Sequence, residues 1–274
     1  MTGRPVSVAG IALFCPAGIG VAGARGGRPG EVPGFSARAY IENRKNLKLM
    51  SRAVQLGVSA IRVALSEVEG WEEIPPLRRA LYVGGTPLGG ELEDLVPALE
   101  ASTNSQGELD INRFARDGYP LIHPLWLVKG LSNNVLGFAS AIHDFQGTNA
   151  NYCDGEMSGL HALYEGWAAV AEGRADIALA GAADAWVGLD PVLAGRRGGE
   201  GAAFVVLRAQ TESDRIVVEP GQSPPLPDEE SDLGYLGAAA APVALLRALL
   251  RGEDAGFSGP GSPGLRWRWV RPGP

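Results

Sequence analysis

The chain has 274 residues, 45% hydrophobic and 20% charged, with a formal net charge of −7. That is a globular composition, long enough for one large domain or two small ones. No block of lysine and arginine suggests a nucleic-acid groove, and no apolar run approaches the ~20 residues that span a bilayer, so neither nucleic acid nor membrane is expected as a partner.

Residues 6–14 (VSVAGIALF) read as a buried strand ending before Pro16. They lack the basic start and unbroken apolar run of a signal peptide. Residues 46–68 carry Leu49, Ala53, Leu56, Ala60 and Val63 at helical spacing, with Lys and Arg on the other face, and predict an amphipathic helix. A strand running into a glycine loop follows at 79–90. Helices are predicted at 91–102 and 125–145.

Residues 147–153 read as a strand leading into a turn, 156–174 as a helix and 175–185 as a buried strand. Residues 199–210 and 215–220 give two more strands, 234–252 a helix and 264–270 a last strand with an exposed face. The stretches 21–34, 219–232 and 256–264 are rich in Gly and Pro and read as loops or tails. Strands alternate with long helices, and several strands are apolar on both faces. The class is α/β, a sheet covered by helices on both sides.

Chemistry-bearing residues crowd one stretch, GTNANYCDGEMSGLHA (147–162), with Cys153, Asp154, Glu156, Ser158 and His161 close together. The chain holds two cysteines, Cys15 and Cys153, too few for a disulfide framework and without zinc-like spacing. A reduced, cytoplasmic protein without a metal fits that usage. The glycine loops at 84–90 and 198–203 lack the Lys-Ser/Thr of a P-loop and the spacing of a dinucleotide fingerprint. No cofactor is implied.

Residues 147–162 resemble the nucleophile segment of the β-ketoacyl synthases, G-P-N-x-x-V-x-T-A-C-A-T-G-A-H-A. Gly147, Thr148 and Asn149 stand at its opening, and Gly159, Leu160, His161 and Ala162 at its close. Four further segments resemble the family in the right order: the first strand, the helix after it, 172–185 and 195–208. The resemblance implies a thiolase-like layered αβαβα fold. Residues 1–210 would be its N-terminal half, and 211–274 a truncated C-terminal half bridged by an acidic linker at 219–232.

The resemblance also implies what is missing. With both ends of the segment fixed and no gap, the family's cysteine falls on Glu156, and Cys153 lies three residues earlier. The three histidines are His123, His143 and His161, so none follows residue 161, where the family places both catalytic histidines. Tyr235 stands near the second of those positions. Gly155, Phe257, Ser258 and Gly259 match the oxyanion and turn region beside the nucleophile. The strand Thr148, Asn149, Ala150, Asn151, Tyr152 and Cys153 matches the family's dimer strand, and residues 125–138 would lie near the acyl tunnel.

Condensation needs a thiolate that carries the acyl chain as a thioester and donors for the developing oxyanion. An acyl-glutamate would be an anhydride. The resemblance therefore implies a non-catalytic, chain-length-factor-type subunit, of the kind found in type II polyketide and aryl-polyene systems. It would pair with a full-length synthase bearing Cys-His-His, and acyl carrier protein would reach the complex. A standalone decarboxylase or thioester hydrolase using Glu156 as base is the alternative, and a homodimeric binding or scaffold protein the third reading. For Glu156 a structural role at the turn is preferred, as a buried group partnered by Tyr152, Ser158 or backbone amides. Cys153 is expected to pack as a small hydrophobe in its strand, His161 to be a core or interface residue, and His143 to be favourable at a helix end.

Overall fold

A computed structural model describes residues 3–87, 92–223, 225–257 and 264–270. In chain order it contains β1 (Val6–Cys15), β2 (Gly18–Ile19), α1 (Arg52–Ser66), β3 (Arg79–Gly84), α2 (Val96–Ser102), α3 (Ile111–Arg113), α4 (Trp126–Lys129) and α5 (Asn134–His143). There follow β4 (Asn149–Tyr152), α6 (Ser158–Ala171), β5 (Ile177–Ala185), β6 (Glu200–Ala209), β7 (Ile216–Pro220), α7 (Glu230–Leu233), α8 (Ala240–Leu250), β8 (Ala255–Phe257) and β9 (Leu265–Trp269).

The strands form one mixed sheet in the order β4-β3-β5-β6-β1-β7-β9-β8, with β2 paired to β1. β3 is parallel to β4 and to β5, and the other pairings are antiparallel. Parallel neighbours need long crossovers, and α5 and α6 supply them. β5 and β6 are buried along nearly their whole length, because helices cover both faces. On one face α1 and α5 bury Leu56, Ile61 and Val135 against Leu81, Leu179 and Phe204. On the other, α6 and α8 bury Leu163, Val170, Val243 and Leu246.

β7 joins β1 through only three residue pairs. From there the sheet curls, so β9 and β8 add Leu265, Trp267 and Phe257 to the core around α6 and α8. Trp267 is fully buried there. The two helices approach closely where Gly159 faces the turn before α8. A Cβ on Gly159 would fall 2.4 Å from the Ala238 carbonyl and 2.5 Å from the Pro242 ring.

The structure departs from the sequence reading at particular places. The helix expected over 125–145 breaks between Lys129 and Asn134, where Gly130, Ser132 and Asn133 are weak helix formers. Residues 256–264 were expected as loop, yet Ala255–Phe257 forms β8 against β9. The segment expected as a solvated linker starts in β7 and ends in α7, and its Glu229 carboxylate, only 12% exposed, pairs with the buried Arg247 at 3.2 Å. Tertiary packing overrides local composition at each.

Gly159→Ala is expected to destabilise the protein by about 1–3 kcal/mol through overpacking of backbone that cannot yield. Gly137→Ala, on an exposed turn of α5 with nothing within 4 Å of the added Cβ, is expected to stabilise it by roughly 0.5–1 kcal/mol. Urea unfolding of both variants checks the pair.

Candidate functional site

The β4-to-α6 connection is a tight turn. Gly155 takes φ 56°, a left-handed conformation that favours glycine. The buried Ser158 hydroxyl accepts from the Asp154 amide at 2.7 Å and donates to the Gly155 carbonyl at 2.8 Å. The 3-10 turn Gly155–Met157 then leads directly into α6, with Glu156 at its tip.

Glu156 is exposed rather than buried, its side chain 53% accessible. Its expected partners Tyr152 and Ser158 do not hold it: Ser158 serves the turn backbone. The carboxylate accepts from Arg196 at 3.2 Å. Arg196 also donates from Nε to Glu230 at 2.8 Å, and its guanidinium lies over the Tyr235 ring, 3.9 Å from the centroid. Both carboxylates, Glu230 foremost, hold that guanidinium firmly protonated. Burial, and then the Glu156 carboxylate, push the Tyr235 phenol up. Tyr235 is fixed by its backbone, which donates to the Arg197 carbonyl at 2.7 Å and accepts from the Gly199 amide at 3.0 Å.

Beneath this cluster lies Asp184, at the end of β5 and fully buried. It accepts from the Ala238 amide at 3.0 Å and from its neighbour Ala185 at 3.2 Å, which pins the turn ahead of α8. Trp186, two residues on, packs against Tyr235 with ring centroids 5.1 Å apart. Burial pushes the Asp184 carboxyl up to about 6, against the Ala238 amide and the Trp186 indole, which favour its charged form.

Glu156, Arg196, Tyr235 and Glu230 border a cavity of about 210 Å³ that Leu226 to Glu229, Leu236, Ala240 and Ala244 also line. None of the three histidines lines it. His123 is exposed and accepts the Leu125 amide. His143 closes α5 on the opposite face, packed on Trp71, and burial lowers its pKa to about 4. His161 is half exposed on α6, 3.6 Å from Asp154 and edge-on to Tyr152.

Cys153 was expected inside its strand. It lies one residue past β4, exposed, and its Sγ accepts from Asn151 at 3.1 Å. Thr148 also lies outside β4, pairing through its carbonyl with Leu81. Asn149, Ala150, Asn151 and Tyr152 form the strand, which pairs only with β3 among the described residues. Phe257 is buried in the inner core at the end of β8. Ser258 and Gly259 lie outside the described residues. Among those residues no group of three His, Cys, Asp or Glu is placed to hold a metal, and no helix is long and apolar enough to cross a membrane.

Sequence reasoning missed Arg196, Asp184, Trp186 and Glu230. A lone acid in the apolar strand 177–185 was a signal for Asp184, since a buried carboxylate needs partners. Nothing in sequence linked Arg196 to residues 40 positions before it and 34 after it.

A carboxyl raised in the folded state binds a proton that the unfolded chain does not, so it weakens the fold as pH rises toward and past 6. Lowering pH from 7 to 5 is therefore expected to stabilise the protein by about 1 kcal/mol relative to Asp184→Asn. Denaturation midpoints of both forms at the two pH values measure it. The Glu156–Arg196 pair is largely solvent-screened, and a double-mutant cycle with Glu156→Gln and Arg196→Gln is expected to give a coupling of no more than about 1 kcal/mol.

No family model and no curated protein matches the chain. Solved structures do match. A β-ketoacyl synthase from Burkholderia phymatum STM815 superposes with a TM-score of 0.65 at 14% identity, over 98% of this chain and 100% of that one. The ishigamide ketosynthase/chain length factor gives 0.62 at 21%, over 90% and 70%. A type II polyketide synthase acyl-carrier protein in complex with its ketosynthase, bound to the hexaketide, gives 0.61 at 19% over 76% of this chain. The chain spans 63% of the length of that last match. The mixed sheet, its curl and the two helices inside it are thus the fold of the ketosynthases and chain length factors.

Proposed function

We propose that the chain is a non-catalytic, ketosynthase-like subunit of the chain-length-factor type. It pairs with an active β-ketoacyl synthase in polyketide or fatty-acid-like biosynthesis and shapes the acyl tunnel, and the complex receives acyl carrier protein. Residues 1–210 then form the thiolase-like half and 211–274 a reduced second half. The observation that carries the reading is Glu156. On a ketosynthase-like fold, at the tip of the turn into α6, it is tied to Arg196 instead of being displayed as a nucleophile.

The surroundings agree with that reading. No histidine lines the cavity beside Glu156, so a decarboxylating base there would lack imidazole donors for the enolate it forms. The open edge of β4 offers backbone groups to a second chain. Thr148 and Tyr152 accept from β3, so by parallel alternation Asn149 and Asn151 turn their amides outward. The segment between β3 and α5 exposes Leu99, Ile111, Leu127 and Leu131, an apolar surface that a partner would cover.

Purification from the native host is expected to yield a 1:1 complex with a longer chain bearing a cysteine and two histidines. Asn151→Pro, which removes one outward amide and leaves the pairing with β3 intact, is expected to dissociate it on size exclusion. A monomer or homodimer at native mass overturns the reading. Malonyl-carrier decarboxylation by the chain alone, abolished by Glu156→Gln, would replace it with the standalone enzyme.

A further inference from the structure

The loop that joins β5 to β6 has a fixed base and a strained tip. β5 and β6 are antiparallel neighbours in which Ala185 pairs with Glu200, so residues 186–199 leave the sheet and return to it at one place. The Trp186 amide donates to the Gly199 carbonyl at 2.8 Å, and the Gly198 amide to the Asp190 carboxylate at 2.8 Å. Trp186 packs on Tyr235, and the Arg197 carbonyl and the Gly199 amide bond the Tyr235 backbone. A Cβ on Gly198 would run into the Trp186 carbonyl, so the two ends of the loop lie in close contact.

At the tip, Leu193 is buried but Val192, Ala194, Gly195, Arg196 and Arg197 are exposed. Ala194 has φ 52°, next to Gly195 at φ 89°. That left-handed region suits glycine, whereas an alanine there crowds its Cβ against its own backbone. Such strain persists only where other contacts hold it. Arg197 pairs with Asp190 at 3.5 Å, within the loop itself. Arg196 instead reaches outward: to Glu156 in the turn before α6, to Glu230 in α7, and over the Tyr235 ring. One side chain therefore joins two elements that border the cavity, and both carboxylates it joins are partly exposed to solvent, 53% and 32%.

We infer that residues 187–197 form a strap that the Arg196 guanidinium latches at the border of the Glu156 cavity, with the strained Ala194 turn working against the latch. Solvent-exposed ion pairs are individually weak, so the latch and the strain that opposes it are of similar size. Opening withdraws the cation from Glu156, Glu230 and the Tyr235 face together, because one side chain makes all three contacts. The cavity then presents two carboxylates and an aromatic ring that the closed strap keeps occupied. The inference needs only the loop and the cavity, so it stands for a partner subunit and for a lone enzyme alike.

The test is amide hydrogen exchange of the full chain read by mass spectrometry over residues 187–198, with α1, which packs on the sheet face away from α6 and α8, as internal reference. Glu156→Gln/Glu230→Gln is expected to speed exchange of the loop about tenfold and to leave α1 unchanged. Raising salt is expected to speed the wild-type loop about threefold through screening, and to do nothing further once Arg196→Gln has removed the latch. Position 194 should move the loop both ways: Ala194→Gly, which relieves the strain of the closed turn, slows exchange about threefold, and Ala194→Val speeds it. Arg196→Gln is the second latch variant should the double carboxylate variant misfold by circular dichroism. Loop exchange indifferent to the latch variants overturns the proposal. So does a salt effect that persists in Arg196→Gln, or a loop that exchanges faster in Ala194→Gly. None of these outcomes bears on the native mass, which tests the partner-subunit reading separately.

Discussion

The contact of α6 with the turn before α8 is the constraint on which the rest depends. A helix can lie against another backbone this closely only where side chains are absent, and Gly159 provides the gap. The approach brings the Gly155–Met157 turn to residues 235–239, although about 80 residues separate them in sequence. Asp184 then locks the second of these segments by accepting the Ala238 amide. Tyr235 is held beside that turn by its bridge to Gly198, and Arg196 by Tyr235 and Glu230.

The chemistry of the cavity follows from what occupies it. A thiolate at the start of a helix is a nucleophile because nothing compensates its charge except the helix end and donors placed for the reaction. At the turn into α6 this chain carries a carboxylate, Glu156, compensated by the Arg196 guanidinium. Arg196 in turn is shared with Glu230 and stacked on Tyr235, a planar cation satisfied on its edge and its face. The cluster is polar, closed on itself and partly wet. Its charged and aromatic groups line the cavity together.

The acidic segment after β7 changes meaning once folded. Glu229 forms a nearly dry ion pair with Arg247, whose guanidinium also donates to the Gly26 carbonyl at 2.9 Å. Removing Glu229 would leave the buried Arg247 guanidinium without its carboxylate, which costs far more than the pair contributes. Glu230, one residue on, turns the opposite way to Arg196. A stretch that reads as solvated by composition thus ties α8 to the loop before β6 and lines the cavity.

The sequence by itself determined the α/β class, the chain order of nearly all long elements, and the place of Glu156 at the turn into a buried helix. Those features depend on periodicity and on residues near in sequence, such as the Gly155 turn and the apolar stripe of α6. That no histidine follows residue 161 is likewise readable without a fold. Tertiary structure alone decided that Glu156 is exposed and paired, that Cys153 leaves its strand, and that Asp184 and Trp186 support Tyr235 from below. It likewise decided that β8 forms and that Glu229 is buried. Ion pairs and helix contacts join residues tens of positions apart, and no local propensity encodes which distant charge a side chain will meet.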